Sequence, residues 1–579
     1  MNEIMTEVFH WLEHPYIDAA NKQEIRDILH DEEALTERFS RFIDFGTGGL
    51  RALLGAGTSR MNAYTVRWVS QAFAKEVWEH KETDITPCLI VAYDVRHGSA
   101  IMAQVASQVF LEQGLDVLLF SFAVPTPLLS YAIRHHKASG GIVITASHNP
   151  KSYNGYKIYN AQGVQLVPKQ ALLIQKRMKE QTFAESLRPG VPTKKQAQLL
   201  GSEEIQAYIQ DVRLLLKEKK VIPENKAVAG RLKVVYTPLH GTGRRVAQAL
   251  FSSLGFVEAY EVASQSDDHP DFPTVKTPNP EDKEVFQRAI VLAEQVDADL
   301  IFATDPDADR LGVMAKKQHG QYQYLGGNAC GALMLATLLQ KQAVVGPGDV
   351  VLQTVVTSEL GASVARYLGA SVEYTLTGFK YIGQKMETYD NIKQKQVVFG
   401  YEESGGYLWG HLTRDKDAIL AMGLMLGLAY DLGKKGKTVW DALANWESRC
   451  GVHLEKSWSV ALSDVRPEQI ASLADVSFVL DSLSRVVRIE DYARHMAFVR
   501  DNMTHHEEAL DFPYEALIKW IYDDGSWIAV RPSGTEPKIK MYLGSVAADK
   551  KAASKRLKQL EADLLMVSRA KNVPFLVDQ

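Results

Sequence analysis

The sequence predicts a large α/β protein in which mostly parallel sheets are followed by a smaller α+β region at the C-terminus. The chain has 579 residues, which exceeds what one hydrophobic core usually supports and predicts roughly four domains. Strand-like runs alternate with helical patterns over most of its length, as they do in βαβ units. The alternation is less clear toward the C-terminus, and this change predicts the α+β region.

Short apolar runs supply the predicted strands of the α/β part: CLIVAYDV, DVLLFSF, GIVITAS, LKVVYTPL and DLIFATD. A helix that contains Val105 to Gln113 is predicted after the first run. The charged stretch from Lys194 to Glu224 has a helical pattern and is expected to connect the first domain to the next. The pattern breaks again at His319 to Gly327, and a pair of strands is predicted to flank RPSGTEPK.

Composition excludes several classes of partner. The chain is 46% hydrophobic and 23% charged with a formal net charge of −5, which gives no general attraction for nucleic acid or an anionic membrane. The first residues lack the pattern of a signal peptide, and the longest apolar run, Ala418 to Tyr430, is too short for a membrane span and predicts a buried helix.

The three cysteines, Cys88, Cys330 and Cys450, are not spaced like metal ligands, and an odd number leaves at least one of them outside any disulfide, as expected in a reducing compartment. We expect a cytoplasmic protein.

The stretch GIVITASHNPKSYNGYKIY places polar groups where a buried strand ends. Pro150 argues against continuation of the strand, so Ser147 and His148 should lie on a turn at its C-terminal end, which is the ligand-binding edge of an open α/β sheet. Lys157 follows on a second strand-like segment that could return to the same edge. A nucleophilic serine needs such a neighbour for proton transfer. An ordinary strand-end turn is the alternative reading.

The second candidate loop is DPDADR, where Asp305, Asp307 and Asp309 follow a predicted strand. Three carboxylates so close together repel one another unless a cation joins them, and oxygen ligands suit Mg²⁺ or Ca²⁺. An EF-hand is excluded because Arg310 stands where that loop needs glycine and Lys316 where it needs glutamate. An arginine beside the metal ligands also indicates that a phosphate joins the site.

Two further loops contain residues whose side chains could bind a sugar and a phosphate. In GYEESGG, Glu402 could accept hydrogen bonds from hydroxyl groups and the glycines permit close approach of a ligand, although an ordinary hairpin explains the pattern equally well. In RPSGTEP, an arginine fork, two hydroxyls and a glycine make a phosphate cradle that is not a Walker A loop. A plain turn is the alternative there.

Together the four loops resemble one family, the α-D-phosphohexomutases. TASHNP, DPDADR, GYEES and RPSGTEP occur in the family's order and at family-like separations, so the resemblance spans essentially the whole chain. FGTGGLR and TGFKYIG are most similar to the long bacterial branch of the family. The resemblance implies four domains around a central cleft: a phosphoserine domain at 1–208, a metal-binding domain at 209–324, a sugar-recognition domain at 325–452 and a smaller phosphate-binding domain at 453–579.

The resemblance also implies a role for each matching residue. Ser147 would carry the phosphoryl group, and Asp305, Asp307 and Asp309 would hold one Mg²⁺ that also touches an oxygen of the phosphorylated serine. The groups that would steady the phosphoryl group or move a proton are Arg51, Arg310, Lys157 and His148. The groups that would bind the sugar ring are Thr377, Gly378, Phe379, Glu402 and Ser404. The groups that would hold the distal phosphate are Arg531, Ser533, Gly534 and Thr535, together with Lys416.

The activity that this implies is interconversion of glucose 1-phosphate and glucose 6-phosphate through a glucose 1,6-bisphosphate intermediate, which also acts as activator. Sugar phosphates would be the partners, and the chain would be a monomer or homodimer. Gly406 stands where some relatives that accept both mannose and glucose phosphates carry a histidine, which favours glucose. Mannose and pentose phosphates remain alternatives within the family, and a metal-dependent sugar phosphatase or a non-catalytic sensor remains an alternative outside it.

Overall fold

The structure is a computed structural model that describes residues 2–44, 49–81, 85–223, 231–390, 392, 395–461, 479, 483, 485–501, 504–532, 538–571 and 573. The chain divides into two compact units. The first unit comprises Met1–Gly327 and Phe379–Thr438, and the second comprises Asn328–Gly378 and Val439–Gln579. Within the described residues, no helix has both the length and the apolar character that crossing a bilayer requires.

The first unit begins with helices and a six-stranded mixed sheet of order β1-β5-β4-β2-β3-β6. β4, β2, β3 and β6 are parallel neighbours, whereas β5 pairs antiparallel with both β4 and β1. The bounds are α1 Asn2–Glu13, α2 Ala19–Asp27, α3 Glu32–Phe39, β1 Leu50–Leu53, α4 Ala63–Glu79, β2 Cys88–Tyr93, α5 Ser99–Glu112, β3 Asp116–Phe120, α6 Thr126–His135, β4 Gly140–Ile144, β5 Tyr153–Asn160, α7 Pro168–Lys179, α8 Phe183–Ser186, β6 Gln198–Leu200 and α9 Ser202–Glu218. The predicted strands at β2, β3 and β4 are confirmed.

The prediction of a helical connector from Lys194 to Glu224 is wrong for the beginning of this stretch. Gln198–Leu200 forms β6, which pairs with β3 at the edge of the sheet, and helix α9 begins only at Ser202. Three residues are too few to show a strand periodicity, so pairing with β3 rather than local pattern decides their conformation.

The next part of the first unit is a five-stranded sheet of order β11-β10-β9-β7-β8. β8, β7 and β9 are parallel, and β10 and β11 are added antiparallel. The bounds are β7 Leu232–Thr237, α10 Gly243–Ser253, β8 Val257–Glu261, α11 Ala263–Ser266, a 3₁₀ turn at Lys283–Phe286, α12 Gln287–Val296, β9 Leu300–Thr304, β10 Leu311–Lys316 and β11 Tyr322–Leu325. The stretch from His319 to Gly327, where the pattern is predicted to break, therefore contains an edge strand of this sheet. The glycines around this short strand interrupt the apolar pattern by which a strand is recognised in a sequence.

The following segment alternates between the two units. In the second unit β12 and β13 are parallel, and in the first unit β14 and β15 form an antiparallel hairpin. The bounds are α13 Gly327–Lys341, β12 Asp349–Thr354, α14 Glu359–Tyr367, β13 Ser371–Thr375, α15 Phe379–Asp390, β14 Gln396–Glu402, β15 Gly406–Trp409, α16 Ala418–Gly433 and α17 Val439–Cys450. Helix α16 is buried from Ala418 to Tyr430, as its apolar run predicts.

The rest of the described second unit contains a seven-stranded antiparallel sheet of order β16-β22-β21-β20-β17-β18-β19, against which the helix Lys550–Ala570 packs. Its core includes Trp520, Ile539 and Leu543 from the sheet and Leu560 and Leu564 from the helix. The bounds are β16 Val452–Ala461, β17 Val486–Asp491, β18 Met496–Asp501, β19 Thr504–Ala509, β20 Ile518–Tyr522, β21 Trp527–Pro532, β22 Lys538–Ala547 and α18 Lys550–Ala570. This confirms the predicted α+β region and the strand pair that flanks RPSGTEPK.

Candidate active site

Ser147 lies on the turn after β4 in an unusual backbone conformation. Its φ is 51°, in the left-handed region that residues other than glycine seldom adopt and that is enriched at functional sites. The backbone N–H of Ser147 donates to Thr145 Oγ1 at 2.9 Å, and its own hydroxyl donates to Asp305 Oδ2 at 2.7 Å. His148 Nδ1 lies 3.2 Å from the same hydroxyl. The turn therefore holds a nearly buried serine against the acidic loop.

Arg96, which the sequence analysis missed, fixes this turn. Its guanidinium donates to the carbonyl oxygens of Ser147 and Asn149 through Nη2, and to Pro150 O at 2.9 Å through Nη1. Asp94 Oδ2 lies 3.2 Å from its Nε. A signal was available, because Asp94 and Arg96 directly follow β2, and β2 and β4 are parallel neighbours whose ends meet at one edge of the sheet.

The acidic loop follows β9 and carries a set of oxygen ligands. Asp305, Asp307 and Asp309 are fully buried, and one carboxylate oxygen from each lies within 4.8 Å of the others. Asp305 Oδ1 accepts the backbone N–H groups of Asp309 and Arg310, which closes the loop. Burial and the carboxylates of Asp309 and Asp307 raise the pKa of Asp305 well above its usual range.

Two oxygens of this loop fit a divalent cation. Asp307 Oδ1 and Asp309 Oδ1 are buried and accept no hydrogen bond from any described residue. Buried polar atoms without a partner are uncommon and costly in folded proteins, and carboxylate oxygens are the preferred ligands of Mg²⁺ and Ca²⁺. The three aspartates therefore can hold one such ion.

Two lysines approach the acidic loop. Lys157, on β5 opposite Val143 of β4, has its Nζ 3.0 Å from Asp307 Oδ2 and 3.4 Å from Asp309 Oδ2. Burial lowers the pKa of Lys157, but the carboxylates of Asp307 and Asp309 more than offset this, so its pKa lies above the usual value. Lys416 Nζ lies 3.2 Å from Asp309 Oδ2. Both ammonium groups are therefore charged and directed at the carboxylates.

Lys416 has a second contact within the first unit. Its ammonium lies 5.5 Å from the centre of the Phe379 ring. Its aliphatic chain crosses Gly406, where an added Cβ would lie 2.2 Å from Lys416 Cδ. The missing side chain at position 406 therefore leaves the room that Lys416 occupies, a relation that the sequence does not reveal.

The predicted arginines and the sugar loop of the first unit surround these groups. Arg51 Nη1 donates to Asn149 Oδ1 at 3.0 Å on the serine turn, and Arg310 Nη1 donates to Glu281 Oε1 at 2.6 Å. Burial lowers the pKa of the Arg51 guanidinium, which the Asp307 carboxylate partly offsets. Glu402 is buried at the end of β14, and Ser404 lies in the hairpin loop that follows.

The remaining predicted residues belong to the second unit or lie outside the described residues. Thr377 Oγ1 donates to Glu515 Oε1 at 3.0 Å, and Arg531 Nη1 lies 3.6 Å from the same oxygen. Glu515, which the sequence analysis missed, thus joins the loop of Thr377 and Gly378 to Arg531. Ser533, Gly534 and Thr535 are outside the described residues, as is the Phe45–Gly48 part of FGTGGLR.

The fold and the site define a class of protein: an α/β chain whose buried serine stands beside an acidic loop that can hold a divalent cation, an arrangement suited to metal-assisted phosphoryl transfer. Models of the phosphoglucomutase/phosphomannomutase α/β/α domains I, II and III match residues 43–185, 206–320 and 326–448, and a model of the C-terminal domain matches residues 493–563. The chain belongs to the phosphoglucomutase/phosphomannomutase family.

Curated relatives agree with this assignment. A protein of Staphylococcus haemolyticus named phosphoglucomutase is 34% identical over 533 residues, which cover 89% of this chain and 93% of the relative. A protein of Staphylococcus saprophyticus with the same name is 33% identical over 555 residues, which cover 91% of this chain and 95% of the relative.

Solved structures share the fold. A phosphoglucomutase/phosphomannomutase family protein from Burkholderia thailandensis has a TM-score of 0.67 at 19% identity and covers 92% of this chain and 98% of its own. An N-acetylphosphoglucosamine mutase from Aspergillus fumigatus, solved in complex with GlcNAc-6P and magnesium, has a TM-score of 0.51 at 14% identity and covers 95% of this chain and 99% of its own.

Proposed function

We propose that this enzyme interconverts glucose 1-phosphate and glucose 6-phosphate through a phosphorylated Ser147 and a glucose 1,6-bisphosphate intermediate. The observation that carries the proposal is the position of Ser147 Oγ, 2.7 Å from Asp305 Oδ2 in a loop with two carboxylate oxygens that accept no hydrogen bond from any described residue. The names of the curated relatives support glucose phosphates as substrates.

The proposed chemistry exchanges phosphoryl groups between oxygens. The bond from phosphorus to Ser147 Oγ breaks while a bond to the free sugar hydroxyl forms, and the hydroxyl proton passes through a side chain to Ser147 Oγ. In the reverse transfer the other phosphate moves to Ser147 Oγ, and the serine proton passes through a side chain to the sugar oxygen that is released. Such transfers depend mainly on positioning and on neutralising charge. The ammonium of Lys157 and the guanidiniums of Arg51 and Arg310 would stabilise the phosphoryl oxygens, and His148 Nδ1, at 3.2 Å, would exchange a proton with Ser147 Oγ.

We infer that the metal is Mg²⁺, held by Asp305, Asp307 and Asp309. A bound Mg²⁺ would supply further positive charge for the transferring group. The Oδ1 atoms of Asp307 and Asp309, which accept no hydrogen bond from the described residues, support a cation at this loop, and the magnesium bound to the Aspergillus fumigatus mutase supports its identity. The test is activity after removal of metal with EDTA and readdition of Mg²⁺ or Ca²⁺. Full activity in EDTA would contradict the proposal.

The substrate is tested with a coupled assay that contains Mg²⁺ and a trace of glucose 1,6-bisphosphate. Glucose 1-phosphate, mannose 1-phosphate and ribose 1-phosphate are compared as substrates. We expect fast conversion of the glucose compound and slow conversion of the other two. Faster turnover of mannose or ribose phosphate would overturn the glucose assignment, and release of inorganic phosphate without isomerisation would indicate the sugar phosphatase.

Gly406→Ala is expected to lower kcat about tenfold by displacing Lys416. The new Cβ would lie 2.2 Å from Lys416 Cδ, so the lysine chain must move and carry its ammonium away from Asp309. The melting temperature should change little, because a flexible side chain and not the backbone absorbs the clash. Gly433→Ala, where nothing lies within 4 Å of the added Cβ, is the control. Unchanged kcat in Gly406→Ala would exclude Lys416 from the reaction.

Arg531→Ala is expected to raise KM for glucose 1-phosphate about tenfold or more and to change kcat less. A guanidinium forms strong charge-assisted hydrogen bonds to phosphate, and we propose that Arg531 binds the phosphate that does not react. Arg494→Ala, which removes an exposed arginine of the same unit, should leave KM unchanged. An unaltered KM in Arg531→Ala would remove the RPSGTEP loop from the proposed site.

Several finer features stay predictions. We propose that the domains end at residues 208, 324 and 452. We also propose that the protein is a monomer or homodimer and that it is cytoplasmic. These proposals rest on the sequence alone. Limited proteolysis tests the limits, and light scattering tests the oligomeric state.

A further inference from the structure

The second unit contains a cavity that the proposed reaction does not use. Its volume is about 370 Å³, within the range of roughly 300–1,000 Å³ that is typical of small-molecule sites. One wall consists of residues beside β12 and on α14 and β13, among them Val355, Glu359 and Tyr374. The other wall belongs to the antiparallel sheet and includes Lys519 on β20 and Trp527 on β21. None of these residues has a role in the proposed phosphoryl transfer.

Lys519 places a buried positive charge on the cavity wall. The residue is 5% exposed, and its Nζ donates one hydrogen bond, to the backbone oxygen of Val355 at 2.7 Å. The ammonium also lies 4.8 Å from the centre of the Trp527 ring and 5.8 Å from that of Tyr374. In the part of the chain that the structure describes, no carboxylate forms an ion pair with it. A buried ammonium without a counter-charge is costly, so an anion in the cavity would stabilise it.

The other charged groups of the wall already have partners. Glu359 accepts a hydrogen bond from the Tyr374 hydroxyl at 2.7 Å. Arg488 donates to Glu490 at 2.9 Å, and Glu490 also accepts a hydrogen bond from the Tyr492 hydroxyl at 2.7 Å. Glu359 also lies 3.6 Å from the Arg366 guanidinium, and Arg488 and Glu490 form an ion pair with each other. Among the described residues of the wall, Lys519 is therefore the charged group that has no ion-pair partner and that a ligand can pair with.

The remaining wall is apolar and rich in aromatic side chains. Leu510, Phe512 and Ile521 line the cavity together with Tyr492 and Trp527. Flat apolar groups pack well against aromatic rings, in offset-stacked or edge-on arrangements. We propose that this cavity binds a small aromatic carboxylate whose carboxylate pairs with Lys519 and whose ring lies among the aromatic side chains. Such a ligand satisfies the buried charge and the apolar wall at once.

The proposal is tested by calorimetric titration of the full chain with two matched probes, indole-3-carboxylate and its neutral analogue indole-3-carboxamide. We expect the carboxylate to bind at least about tenfold more tightly, because it alone forms the charge-assisted hydrogen bond to Lys519. Lys519→Met should weaken binding of the carboxylate by about the same factor and leave that of the carboxamide unchanged. Lys551→Met, which removes an exposed lysine of α18, should change neither.

A second variant keeps the test decisive if Lys519→Met does not fold. Leu510→Trp retains Lys519 but fills the cavity, so it should abolish binding of both probes. Absence of carboxylate binding to the natural protein at millimolar concentration would overturn the proposal. Equal affinity for the two probes, or unchanged carboxylate affinity in Leu510→Trp, would also overturn it. Since the readout is binding alone, the outcome does not depend on the proposed catalytic function.

Discussion

Ser147→Ala is expected to abolish isomerisation of glucose 1-phosphate, with a loss of about 10⁴-fold or more in kcat. The substitution removes the oxygen that would carry the phosphoryl group, and no neighbouring hydroxyl in the described turn stands against the acidic loop in its place. The measurement is the coupled assay, together with transfer of labelled phosphate from glucose 1,6-bisphosphate to the protein. Labelling should be lost along with turnover.

Ser152→Ala is the matched control for this experiment, because Ser152 is an exposed serine of the same turn. It should keep full activity and full labelling. The melting temperature of Ser147→Ala should stay close to that of the natural protein, since the side chain is small and the turn is held by Arg96 through backbone oxygens. Near-normal turnover in a folded Ser147→Ala protein would exclude the phosphoserine mechanism.

Asp307→Asn is expected to lower kcat about 10²- to 10³-fold and to raise the Mg²⁺ concentration needed for half-maximal activity. The change removes one negative ligand of the proposed cation, whose charge contributes several kcal/mol to stabilisation of the transition state. It also leaves Lys157 with a neutral partner in place of the carboxylate 3.0 Å away. The measurement is a titration of activity with Mg²⁺ at saturating substrate.

The control is Asp267→Asn, which alters an exposed aspartate of the same unit that forms an ion pair with Arg244 at 3.1 Å. Pairs of this kind contribute at most about 1 kcal/mol to stability, so neither folding nor the Mg²⁺ titration should change. If Asp307→Asn gave the natural Mg²⁺ dependence and kcat, the metal would have to bind elsewhere.

The elements of the site were predictable because their signals are local. The apolar run of β4 ends at Ile144, shortly before Ser147, and that of β9 ends at Thr304, directly before the acidic loop. The spacing of Asp305, Asp307 and Asp309 is likewise a property of five consecutive residues. Helix α16 follows from one unbroken apolar run. Such patterns act over a few residues, so a single sequence carries them in full.

What the sequence determined by itself is thus the strands that lead to the serine turn and to the acidic loop, the four motif loops and the chemistry that each loop offers. Only the tertiary structure decided which groups meet. Arg96 donates hydrogen bonds to backbone oxygens of the serine turn, and the side chain of Lys416 passes over Gly406 to reach Asp309. Glu515 lies between Thr377 and Arg531 and contacts both. These contacts join residues far apart in the chain, and they depend on sheet order, strand register and the space left by a missing side chain. Those properties arise from packing of the whole chain, and no local pattern encodes them.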